Sequence, residues 1–281
     1  MGPRTGHGGR QVVSVDWPNF EHLMKLGKVG RLDEAARGSE ALAARAESDD
    51  DRASLLTGAL VFSARLGRLA DARRILGRLM PLEVSDPEVR LNAEFCEPCL
   101  LIQEGRAEEA IAAFRKMLQL HHDALHEDRF RYLYEDIQCR TGLALVSVAR
   151  FAEALPILRE AVDFTSDKAA GEQEVRYALA VCYEETSDPE AAKHEYHAVI
   201  AFNAKSDFAE RARYRVARIY MMTGGLAQAR KLLEAVLQAS PGASPAVPRK
   251  RVYEHLSLVC RHLGDRANGK LYADLAKSAR E

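Results

Sequence analysis

The chain contains no apolar run approaching the roughly 18 consecutive residues that a spanning helix needs, so no membrane segment is expected. Met1 to Arg10 is rich in Gly and Arg with no apolar stretch behind it, which argues against a secretory signal or anchor. Strong net charge is also missing. At −1 overall, no global basic field recruits nucleic acid. The five cysteines, Cys96, Cys99, Cys139, Cys182 and Cys260, are an odd set and do not form a disulfide framework. Together these absences point to a reducing cytoplasm. No phosphate-cradling loop follows a strand pattern, no Gly-x-Ser-x-Gly elbow occurs, and no acid pair marks a cleft. The expectation is therefore a protein that is not an enzyme and needs no cofactor or resident metal.

What the chain does contain is one phrase said seven times. Its clearest copy is Gly105-Arg106-Ala107-Glu108-Glu109-Ala110-Ile111. The copies end in Ala35, Ala72, Ala110, Ala154, Ala192, Ala229 and Gly269, at steps of 37, 38, 44, 38, 37 and 40 residues. Self-similarity at that period signals an array of helical repeats. Each phrase marks the corner between two amphipathic helices, glycine serving the turn and the closing small residue a close helix approach. In the copy after Gly105, Ala110, Ile111, Phe114, Met117 and Leu118 make one apolar stripe, with Glu108, Glu109, Arg115 and Lys116 opposite. One helix pair cannot cover both of its apolar faces, so neighbouring pairs must stack.

The predicted organisation is a disordered leader over residues 1–15 followed by a repeat domain over 16–281, with corners near 30, 67, 105, 149, 187, 224 and 264. Asp16 is expected to cap the first helix, Asp49 to Asp51 the third, and Asp86-Pro87 the fifth. The 44-residue step holds an insertion around His121, His122, Asp123, Ala124, Leu125 and His126. It is expected as a longer loop or as extra helical turns. Pro241 to Pro248, with three prolines and a glycine, reads as a loop or hinge.

The corner glycines (Gly30, Gly67, Gly105, Gly224, Gly264), the apolar residue two places on (Leu32, Leu69, Phe151, Leu226), the closing small residue and the large residue nine places on (Leu76, Phe114, Leu158, Tyr196, Leu233) together resemble the tetratricopeptide-repeat family. The resemblance covers roughly Trp17 to Arg280. Two features depart from it. The period exceeds the family's unit of about 34 residues. The small residue of the first helix, present as Gly142, Ala180, Ala217 and Ser257, becomes Leu23, Leu60 and Pro98 in the earlier pairs. The resemblance implies an all-α, right-handed superhelical solenoid of about seven antiparallel helix pairs. First helices would line a concave groove where a peptide or partner helix lies.

On that register the groove-facing residues are Phe20 and Met24, Thr57 and Val61, Phe95 and Cys99, Cys139 and Leu143, Tyr177 and Val181, Tyr214 and Arg218, and Glu254 and Leu258. None is Lys or Asn, which argues against capture of a terminal carboxylate in the way some family members do. Phe20, Phe95, Tyr177 and Tyr214 are the expected apolar anchors, unless the rings pack between repeats instead. Arg211, Arg218 and Arg251 would supply charge. From Ser206 to Glu281 there are 14 Lys/Arg against 7 Asp/Glu, and Arg211, Arg213, Arg215 and Arg218 fall within two turns. That run is either a solvated face or a dock for an acidic segment or for RNA phosphates.

Two further constellations are weaker. Cys96-Glu97-Pro98-Cys99 has half-zinc or redox spacing but no second pair and no preceding strand, so buried helix cysteines are the better reading. His121, His122 and His126, with Asp123 and Glu127 beside them, are candidate metal ligands, as are His194 and His197. The first set, however, lies in the insertion, where polar loop residues are expected, and the second is not the metalloprotease pattern.

The expected function is a scaffold or adaptor binding another protein through an apolar or acidic peptide or helix, without membrane or nucleic acid. Self-association through the ends of the array is compatible with it. The alternatives are a peptide- or effector-sensing module hinged at Pro241–Pro248, and RNA binding through the C-terminal basic face.

Overall fold

The computed structural model describes residues 17–165, 169–239 and 245–279, and among these all regular structure is helical. The expected leader, the Asp16 cap and the first half of the expected hinge lie outside the described residues. The helices are α1 (Trp17–Lys28), α2 (Leu32–Ala43), α3 (Asp49–Arg65), α4 (Leu69–Leu79), α5 (Pro87–Gln103), α6 (Ala107–Leu120), α7 (His122–Leu125), α8 (Arg131–Ser147), α9 (Phe151–Thr165), α10 (Ala169–Glu185), α11 (Pro189–Phe202), α12 (Asp207–Met222), α13 (Leu226–Ala239), α14 (Arg249–His262) and α15 (Arg266–Ser278). They fall into two compact units, residues 1–134 and 135–281, the division lying within α8.

All seven corners turn through the left-handed backbone region. Gly30, Gly67, Gly105, Gly224 and Gly264 have φ between +72° and +85°, and Ala149 (+60°) and Ser187 (+66°) do the same without glycine's freedom. The residue after each donates its N–H to a carbonyl five residues back, as in Arg106 to Leu101 at 2.9 Å, Arg150 to Leu145 at 2.9 Å and Asp188 to Tyr183 at 2.8 Å. This is the Schellman closure, which satisfies the orphan carbonyls of the helix end. Five residues past each corner the closing alanine has no exposed surface. At the last corner a Cβ on Gly269 would sit 2.9 Å from the Arg261 side chain, and Ser257 donates to the Gly269 carbonyl at 2.8 Å.

The departures in the first helices have a steric explanation. In the α8–α9 pair, Gly142 lies under Leu158, where a Cβ would approach to 2.6 Å. In the α1–α2 pair the sizes are exchanged: Leu23 is large and Gly38 opposite it is small, with no room for a methyl. Either arrangement lets the two helices close to contact distance.

Capping agrees with expectation at Asp86-Pro87, where the aspartate accepts from Glu88 N at 2.8 Å, and Asp188-Pro189 opens α11 in the same way, accepting from Ala191 N at 3.1 Å. It differs at α3. Ser48 is the cap, accepting from Asp51 N at 3.0 Å. Asp49 and Asp50 reach onward instead to hold the loop before α5, accepting from Glu83 N at 3.0 Å, Ser85 N at 2.8 Å and Asp86 N at 2.9 Å.

The insertion is neither a plain loop nor added turns on its neighbours. It is the short α7 followed by a 3-10 turn, Asp128–Phe130. Leu125 and Phe130 anchor it with 1% and 0% exposure. Polar contacts elsewhere recur one repeat apart: Arg68 to Asp33, Arg74 to Glu40 and Arg230 to Asp265 span 34 or 35 residues.

Candidate partner-binding surfaces

In the first unit, α1, α3 and α5 line a concave cavity of about 620 Å³. Its apolar lining comes from Phe20, Met24, Val61, Phe62 and Val89, with Thr57 and Gly58 between them. The rim is polar: Ser54, Glu88 and Asn92. Asn92 is held in place, donating to the Glu88 carbonyl at 2.9 Å and to the Tyr132 hydroxyl at 3.0 Å. Met24 and Val61 keep 39% and 42% of their surface exposed although both are apolar. Phe20 packs one edge on the core below. The i, i+4 pairs Phe20/Met24 and Thr57/Val61 face one side of their helices, and successive first helices place those sides next to one another.

The structure divides the other expected groove residues. Phe95 is half-buried 5.8 Å from the Phe114 ring and does not line that cavity. Tyr177 stands in the second unit between Tyr196 at 5.6 Å and Phe208 at 5.7 Å. Both rings take the alternative role of packing inside or between helix pairs.

Tyr214 of α12 stacks on His255 of α14, centroids 5.4 Å apart and planes within 10°. Both rings are half-buried. Burial pushes the Tyr214 hydroxyl up and the His255 imidazole down from their ordinary values, and the charges of Arg218 and Arg251 act on both rings. Lowered from an already near-neutral value, His255 is uncharged at neutral pH.

The arginine run resolves into two groups. Arg215 bonds Glu184 at 3.2 Å, Arg213 bonds the Ala204 carbonyl at 2.8 Å and Arg249 the Leu237 carbonyl at 2.7 Å. These three are structural. Arg211, Arg218 and Arg251 make no ion pair or hydrogen bond with any described residue. The sequence pattern alone could not separate the groups, because Arg211, Arg215 and Arg218 share one face.

Burial pushes the Cys96 and Cys182 thiols up to about 12, so at neutral pH neither presents a thiolate for metal or redox chemistry. His121 meets Glu94 at 2.6 Å, and His122 stacks on His126 at 4.3 Å. Among the described residues no group of three or more His, Cys, Asp or Glu is placed to hold a metal. No described helix is long and apolar enough to cross a membrane.

Neither a protein-family model nor a curated protein matches the chain. Solved structures do. The apo form of the quorum sensor NprR from B. thuringiensis aligns with TM-score 0.69 and 15% identity, over 92% of this chain and 74% of that one. PilF of Pseudomonas aeruginosa gives 0.60 and 16%, over 82% and 92%. A tetratricopeptide repeat protein from Parabacteroides merdae gives 0.55 and 15%, over 94% of each. With the seven corners and the helix pairs in view, the chain is an all-α helical-repeat protein. Its fold is the tetratricopeptide-repeat fold.

Proposed function

We propose that this chain is a non-catalytic protein-interaction module, an adaptor that holds an apolar or amphipathic segment of a partner protein in the groove of α1, α3 and α5. The observation carrying this reading is the exposure of Met24 and Val61 in a concave, apolar-floored cavity with a polar rim. Side chains of that kind gain most from being covered, and the shape suits helix-in-groove recognition. The fold by itself does not assign a function. Repeat arrays do, however, present extended concave faces of this kind to ligands.

The test is selection of binders from a displayed library of random sixteen-residue peptides (about four helical turns), using the full chain as bait. Recovered peptides should repeat apolar residues at i, i+3/i+4 and i+7. They should bind the Met24→Asp/Val61→Asp variant at least about tenfold more weakly, a difference of about 1.4 kcal/mol, with unchanged circular dichroism. Peptides without that pattern, or equal binding to the folded variant, would remove the groove from the argument.

A second reading, sensing of a free peptide effector, is favoured by the likeness to a quorum sensor. It predicts that a selected peptide changes the scattering-derived size of the chain; an adaptor that only holds its partner keeps the same size.

A further inference from the structure

We infer that the second unit carries a separate docking face for an acidic peptide segment, built from Arg211, Arg218 and Arg251 around the Tyr214–His255 stack. It is independent of the apolar groove, which lies in the other unit.

Placement comes first. Arg211, Tyr214 and Arg218 fall at i, i+3 and i+7 on α12, one face of a helix. Arg251 and His255 fall at i, i+4 on α14. The ring stack joins the two helices at Tyr214 and His255, over a shared core that includes Ala217, Val252 and Leu256. Cationic side chains therefore flank the stack on both sides along the helix axis. Arg211 and Arg218 are seven residues apart, which at the helical rise is roughly 10 Å.

Charge comes second. The three neighbouring cations Arg213, Arg215 and Arg249 are consumed by Glu184 and by backbone carbonyls. Arg211, Arg218 and Arg251 have no such partner among the described residues. His255 is neutral, so it neither adds to the field nor cancels it. Glu254 acts on both rings against the charges of Arg218 and Arg251, with Arg215 acting on Tyr214 as well. The face is thus net positive, with Arg211 and Arg251 exposed and Arg218 half-buried beside the half-buried rings. Guanidinium groups bind carboxylates in bidentate fashion, and Arg218, half-buried, is the best shielded of the three from water.

The chemistry of the rings decides between acidic protein and nucleic acid. Single-stranded nucleic acid needs open aromatic faces on which successive bases stack. Tyr214 and His255 each spend one face on the other, and the rings are half-buried with the His255 Nδ1 edge out of solvent, so they offer no run of open faces to successive bases. A partner with two acidic groups roughly 10 Å apart and an apolar residue between them matches the cations and the exposed part of the half-buried rings together. The basic excess of the last quarter of the chain then speeds encounter with such a partner.

The experiment is fluorescence anisotropy on the full chain with three fluorescein-labelled probes. These are the peptide Gly-Ser-Glu-Glu-Leu-Tyr-Glu-Glu-Ser-Gly, the same peptide with Gln for every Glu, and a decauridylate. The acidic peptide should bind at least about tenfold more tightly than its Gln form, and its affinity should fall as salt rises. The Arg218→Glu/Arg251→Glu variant should lose at least about tenfold in affinity for the acidic peptide and gain affinity for a Lys-for-Glu peptide. That gain cannot come from misfolding. Arg218→Gln/Arg251→Gln supplies a milder second variant with the same direction of loss. Met24→Asp/Val61→Asp should bind the acidic peptide as wild type does, so failure of the groove reading leaves this one standing, and the reverse. No measurable binding of the acidic peptide, or equal binding of its Gln form, would overturn the inference. So would decauridylate binding more tightly than the acidic peptide and being lost in the same variants, which would make the face a nucleic-acid surface instead.

Discussion

Two corners of the second unit make opposite and equally simple demands. Ala149 holds φ +60° with a side chain, and Gly224 holds φ +85° without one. A left-handed backbone costs an L-residue about 1–2 kcal/mol. Replacing a non-glycine residue by glycine there removes that strain but frees the unfolded chain, which costs about 0.4–1 kcal/mol. Ala149→Gly should therefore stabilise the second unit by about 0.5–1 kcal/mol, and Gly224→Ala should destabilise it by a similar amount. Packing does not confuse the second change, because a Cβ on Gly224 would meet nothing within 4 Å. Ala149 is itself exposed, so losing its methyl forfeits little buried surface. Urea unfolding followed by far-UV circular dichroism should move the midpoint up for the first variant and down for the second, with the slope unchanged. A lower midpoint for Ala149→Gly at constant slope would refute the view that these corners are set by backbone conformation. So would an unmoved midpoint for Gly224→Ala.

Two further outcomes follow from the polar contacts. Arg215→Ala should destabilise the second unit by about 3 kcal/mol, because Glu184, only 10% exposed and already accepting from Tyr196 at 2.9 Å, would lose its counter-charge; Arg215→Lys should recover part of it, and a loss below about 0.5 kcal/mol would mean that solvent already screens the pair. Asp50 is held below the usual carboxylate range, first by the Ser85 hydroxyl and then by the Asp86 N–H. A depressed folded value means its stabilisation is present above the unfolded value near 4 and is lost as pH falls through the folded value. Asp50→Asn should accordingly lower the thermal midpoint at about pH 7, with the gap to wild type closing by about pH 2; a gap of constant size would show that the Asp50 charge plays no part.

The fold was legible because its determinants repeat. A left-handed corner favours glycine, a close helix approach demands a small residue, and both recur at a spacing that chance does not produce. Part of the cavity was legible for the same reason: Phe20, Met24, Thr57 and Val61 follow from helix register alone. Register names a face but not what lies opposite it. Phe95 and Tyr177 satisfy the pattern, yet Phe114, Tyr196 and Phe208 stand within stacking distance and take up their rings. The exchange of Leu23 and Gly38 for Gly142 and Leu158 is likewise invisible at either position alone, since only the pair is constrained. The insertion was read from its length alone, as a longer loop or extra turns. Leu125, Phe130, Leu133 and Ile137 already formed an apolar series there, and all four are buried.

The separation of structural from available charge follows from the architecture. Each helix pair meets only its neighbours, so a charge is satisfied within its own pair or about one period away, as Asp33 is by Arg68 and Asp265 by Arg230. A cation whose counterpart one period away is another cation finds no partner there and depends on its own pair alone. Arg218 and Arg251 stand in that relation, 33 residues apart in sequence and acting together on one pair of rings. Neither makes an ion pair or hydrogen bond among the described residues. A carboxylate placed between them from outside the chain would attract both at once. The gain on binding is therefore larger than either cation would give alone, and because each single change already forfeits the coupling, removing both together should cost less than the sum of the single losses.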